Sequence, residues 1–203
     1  MSQVSQSQNK ANALATRLLS GNPLSTICGF ATHLPLSPDP KNEVKGAREA
    51  IIAADVLVDC STDEGAFLYL NAIARETRAT VATMFVNFSA EIMTLCVSGR
   101  HTSCAKVCRR LYVAIRNGET PVTAETYFRE PEKGELIVPG AGCWHPTFPA
   151  LNTHLWMLTS AAVEMLCSIL ARPLRTDGTA VLIRRNPIGV GPLVEIIWEK
   201  TCR

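Results

Sequence analysis

Apolar residues at Ala11, Leu14, Ala15, Leu18 and Leu19 recur at the spacing of one helical face, and Gly21-Asn22-Pro23 closes that helix. Residues 25–32, with Ile27, Cys28 and Phe30, predict a short strand, and Pro35, Pro38 and Pro40 a turn after it. Residues 43–54 predict a helix leading into Val56-Leu57-Val58, a run suited to a strand buried on both faces of a parallel sheet. A second amphipathic helix over 63–78 carries Ala66, Phe67, Leu70, Ile73 and Ala74 on one face. Strands are expected over 79–86 and 91–97. Residues 100–142, polar and broken by Gly and Pro, suggest an insertion or long loop. Residues 151–170 form a long helix, and runs over 179–185 and 193–200 flank a Gly/Pro turn as an antiparallel hairpin. Helices alternating with strands in this way predict an α/β fold with crossover connections, as one domain over 1–203.

Composition narrows the function. The 203 residues carry 20 Lys+Arg against 18 Asp+Glu, a net charge of +2 that excludes a strongly basic nucleic-acid binder. Only 6% of residues are aromatic, which gives little support to a base-stacking surface. Residues 155–171 are the most apolar long stretch; Glu164 interrupts them and they fall short of a membrane span, so no membrane association is expected. The Ser/Gln-rich opening residues carry no basic-then-apolar pattern of a secretory signal. Eight cysteines then point to a reducing compartment, the cytoplasm by default.

Two positions stand out for anion and cation chemistry. Asp59 falls at the carboxyl end of the strand containing Val56-Leu57-Val58, the edge of an α/β sheet where ligands bind. A carboxylate there suits Mg²⁺ on a nucleotide phosphate; alternatively, it caps the following helix or bonds loop amides. Thr62 and Asp63 are the candidate caps of that helix. Lys10 opens the first helix, either as a solvated lysine or as a point charge reaching phosphate. A strand followed by Gly-x-Gly-x-x-Gly is missing near the start, and Gly140-Ala141-Gly142 and Gly189-Val190-Gly191 read as turns.

Lys10-Ala11 with Ala13-Leu14-Ala15, Asn22-Pro23, Ala54-Asp55-Val56-Leu57-Val58-Asp59 and Leu70-Asn71 occur in the order of the ThiF/MoeB adenylyltransferase family. The chain resembles that family over roughly 8–97, and more loosely through Gly142-Cys143-Trp144-His145-Pro146-Thr147-Phe148. The resemblance implies a Rossmann-like sheet and ATP- and Mg²⁺-dependent adenylation of the C-terminal Gly carboxylate of a ubiquitin-like or sulfur-carrier protein. Lys10 matches the family lysine on the ATP phosphates, and Asp59 the aspartate that helps bind Mg-ATP. Only nine residues precede Lys10. The resemblance therefore places this chain in the carboxyl-terminal part of the domain, without its first strand, Gly-rich loop, ribose-binding acid and arginine. A non-catalytic subunit pairing with an active homologue is the alternative, and a homo- or heterodimer is expected in either case.

The cysteines raise separate chemistry. Cys143, beside His145 in a Gly-rich segment, is either a thiolate acceptor for the activated carrier or a buried loop cysteine. Cys104-x-x-x-Cys108 exceeds the zinc-knuckle spacing by one residue, and a Zn²⁺ site would need Cys96, Cys143 or His101 to complete it. On a helix, Cys104 and Cys108 would share one face and serve as core thiols.

Overall fold

The computed structural model describes residues 9–37, 46–130, 152–174, 176–186 and 191–197. Two compact units divide the chain, Met1–Ala54 and Asp55–Arg203.

In the first unit, helix α1 (Lys10–Gly21) starts where the Asn9 side chain accepts the Ala11 N–H. Helix α2 (Ala47–Ala53) starts after Gly46, whose φ of 87° suits a residue without a Cβ. The expected strand over 25–32 is absent. Its backbone runs beside α1 instead, so close that a Cβ on Gly29 would lie 2.6 Å from the Ala11 carbonyl oxygen. Alternating apolar residues make a strand only where another strand offers a hydrogen-bonding edge.

The second unit is a mixed α/β sheet with the order β1-β2-β3-β4-β5. Strands β1 (Val56–Asp59) and β2 (Thr80–Val86) are parallel, joined by helix α3 (Glu64–Thr77), which supplies the crossover that parallel neighbours require. Every other pairing is antiparallel. The reason is local: residues 87–91 are too few for a crossover, and Asn87 Oδ1 closes the turn by accepting the Glu91 and Ile92 N–H groups at 3.0 Å each. Strands β3 (Ile92–Val97), β4 (Thr179–Arg185) and β5 (Pro192–Ile196) complete the sheet, with the last two forming the expected hairpin. β1 is an edge strand, not one buried on both faces; Val58 is 44% exposed.

Helices cover both faces. On one, Leu158, Ala162 and Leu166 of helix α6 (Asn152–Leu170) meet Met93, Leu95, Val97, Val181 and Ile183. On the other lie α3 and helix α4 (Cys104–Arg116), followed by the short α5 (Ala124–Tyr127). α4 corrects the expectation of a loop over that part of 100–142. Ser103 caps it, and Val107, Cys108, Leu111, Ala114 and Ile115 form one buried stripe. Residues 131–142 lie outside the described residues.

The length expectation for 155–171 is also corrected. Among the described residues, Thr153–Leu170 is one helix long and apolar enough to cross a membrane. Leu158, Ala162 and Leu166 seat one stripe of it on the sheet, while Trp156 and Val163 are exposed.

The turn before β4 is tightly constrained. Gly178 has φ +77°, and a Cβ there would lie 2.6 Å from the Val97 carbonyl oxygen and 2.5 Å from a Val107 methyl. Gly178→Ala is expected to cost about 2 kcal/mol through left-handed strain and the clash, read as a lower urea midpoint.

Candidate functional site

The β1 strand ends at Asp59, a residue that is 5% exposed. Oδ1 accepts the Ser61 backbone N–H at 3.0 Å and the Ser61 hydroxyl at 2.6 Å, while Oδ2 accepts the Thr83 hydroxyl at 3.2 Å. A carboxylate offers about four lone-pair positions, and these bonds fill three of them. Among the described residues, one position on Oδ2 has no partner. The sequence alternatives separate here: Asp59 bonds its loop, and Asp63 caps α3 by accepting the Ala66 N–H at 2.7 Å. Asn71 is buried and structural. It donates to the Phe67 carbonyl and accepts the Ala105 N–H at the start of α4, tying the two helices together.

Asp59 stands at one side of a cleft of about 630 Å³. Asp63, Glu64 and Phe67 of the α3 region, Phe85 and Phe88 from the end of β2, and Cys108, Tyr112, Tyr127 and Phe128 line the rest. Tyr112 packs against Phe85, Tyr127 and Phe128 with ring centroids 6.5, 6.0 and 6.1 Å apart. The Tyr127 hydroxyl hydrogen-bonds the Thr94 hydroxyl at 2.7 Å. Tyr127→Phe would strand the fully buried Thr94 hydroxyl and is expected to cost about 1 kcal/mol in chemical denaturation.

Burial raises Tyr112 to about 12. The unfolded chain, with an ordinary tyrosine near 10.0, ionises first as pH rises, so the stabilisation is complete below that value and is lost toward about 12. Tyr112→Phe is expected to flatten this alkaline loss, measured by urea midpoints across that window.

Cys96, Cys104 and Cys108 cluster beneath the cleft, with Cys104 Sγ 3.2 Å from the Cys96 carbonyl oxygen. Side-chain hydrogen bonds with Cys104 and Cys96 draw the Cys108 thiol down, while the same bonds, and then burial, push Cys104 and Cys96 up. No group of three or more His, Cys, Asp or Glu is placed to hold a metal among the described residues.

Lys10 is exposed at the first turn of α1, in the first unit, and Asp59 belongs to the second. Cys143, His145 and Gly140-Ala141-Gly142 lie outside the described residues, as do Gly189 and Val190. The sequence reading missed the aromatic cleft and the place of Cys108 in it. One signal was available: Tyr127-Phe128 is an aromatic pair in a polar stretch, and Cys108 and Tyr112 are one helical turn apart.

No protein-family profile matches the chain. In the solved structure of selenomethionine PaaA, a likeness covers 95% of this chain and 56% of that one at 15% identity and a TM-score of 0.49, too distant to inform the site. In sequence, 173 residues, 81% of the chain, are 25% identical to the ATP-dependent ubiquitin transferase-like protein Cap2 of Enterobacter hormaechei subsp. hoffmannii (strain UCI 50). The matched region is 25% of that protein's length, so the chain is similar to about a quarter of a ubiquitin transferase-like protein.

Proposed function

We propose that this chain belongs to the ThiF/MoeB-type adenylyltransferases and takes part in ATP-dependent adenylation of the C-terminal Gly carboxylate of a ubiquitin-like or sulfur-carrier protein. The observation that carries the reading is Asp59. It ends a strand with a parallel neighbour, in a chain whose relative is named an ATP-dependent ubiquitin transferase-like protein. Its hard oxygen donor and remaining lone pair fit Mg²⁺, which keeps most of its shell for water and phosphate oxygens. Bound Mg²⁺ would neutralise phosphate charge as the carrier carboxylate attacks the α-phosphorus and pyrophosphate leaves. Lys10 is the proposed phosphate contact, a point charge in the first turn of α1, which carries no acidic residue. Cys143 is the proposed acceptor: its thiolate attacks the acyl carbon, a thioester forms and AMP departs.

One observation favours the second reading, a non-catalytic subunit that pairs with an active homologue. The lining of the cleft beside Asp59 holds three carboxylates and, among the described residues, no Lys or Arg to meet a triphosphate. Pyrophosphate exchange by the full gene product, with Mg²⁺, ATP and carrier proteins ending in Gly, separates the two. Carrier-dependent exchange supports adenylation. A folded protein that exchanges nothing, yet co-purifies with an active homologue, supports the pairing subunit.

A further inference from the structure

The cleft has a chemical preference that adenylation leaves unused. Three carboxylates, from Asp59, Asp63 and Glu64, line it together with six aromatic rings. Two of the rings are costly to leave in water: Phe88 is 64% exposed and Phe128 36%. An aromatic wall offers no ligand atoms to a small, strongly hydrated metal ion, but its ring faces attract a weakly hydrated organic cation. The Arg116 guanidinium lies 5.4 Å from the centre of the Phe128 ring, so a ligand cation is favoured away from that ring, toward the carboxylates. A volume of about 630 Å³ falls within the usual range of small-molecule sites.

We propose that this cleft binds a small organic cation, a protonated amine or guanidinium on an apolar body, with the body against Phe85 and Phe88 and the charge toward Asp63 and Glu64. The complementarity is specific in sign. A neutral apolar molecule would gain only the walls, and an anion of the same shape would meet the carboxylates with like charge. The site goes beyond the adenylation reading and does not depend on it.

Calorimetric titration of the full chain without nucleotide tests this, using phenethylamine, phenethyl alcohol and phenylacetate, which share one skeleton and differ in charge. The amine is expected to bind at least about tenfold more tightly than phenylacetate, with the alcohol between them. Glu64→Gln and Phe88→Ala alter exposed side chains and should leave the circular dichroism unchanged. Each is expected to weaken amine binding about threefold or more. Phenylacetate or the alcohol binding as tightly as the amine would overturn the proposal. So would an absence of saturable amine binding at millimolar concentration, or amine binding that both variants leave intact. Because no nucleotide is present, failure here is independent of pyrophosphate exchange.

Discussion

Leu95→Ala is expected to destabilise the second unit by about 3 kcal/mol and to lower its thermal midpoint by about 10 °C. Leu95 is fully buried in β3, between β2 and β4, on the face that receives Leu158 and Ala162 of α6. Removing its side chain loses hydrophobic transfer energy and leaves a cavity that two hydrogen-bonded neighbouring strands prevent from closing. Domains of ordinary stability hold about 5–15 kcal/mol, so this single change would consume a large share. Urea unfolding at constant m-value checks it. A midpoint within experimental error of the wild type would mean that the contact between α6 and the sheet contributes far less than its burial indicates.

Asp59→Asn should have the largest effect on function. Asn keeps the size of Asp59; its oxygen can accept from Ser61 and its amide can donate to the Thr83 hydroxyl. The fold should therefore survive with a cost near 1 kcal/mol. What disappears is the negative charge and the lone pair left for a cation. Under the adenylation reading, carrier-dependent pyrophosphate exchange should fall about 100-fold or more, as when a charged ligand of the reacting phosphates is lost. Exchange at the wild-type rate in a folded Asp59→Asn protein would remove Asp59 from the chemistry.

Much of the secondary structure was legible in the residues. The apolar stripe beginning at Leu14 and Ala15 and the one through Ala66 and Leu70 became α1 and α3, and the runs containing Val81 and Leu95 became β2 and β3. Helix α4 was obscured by its charged outer face, where Arg109 and Arg110 sit between Cys108 and Leu111, although its buried residues keep helical spacing. Residues 25–32 misled in the opposite direction: their pattern is strand-like, but among the described residues they pair with no strand. Average composition misled as well. Aromatics are scarce in the chain, yet six of them meet at one cleft.

The sequence by itself determined helices α1, α3 and α6 and strands β1 to β4, because their patterns depend on residues a few positions apart. It also placed Asp59 at the end of its strand. Only the tertiary structure decided that β1 is an edge and that Phe85, Tyr112 and Phe128 gather beside Asp59. Those outcomes depend on contacts between segments tens of residues apart, for which local periodicity carries no signal. The charge around the cleft has the same origin: α3 brings Asp63 and Glu64 to face β2 and α4, an arrangement set by packing across the sheet.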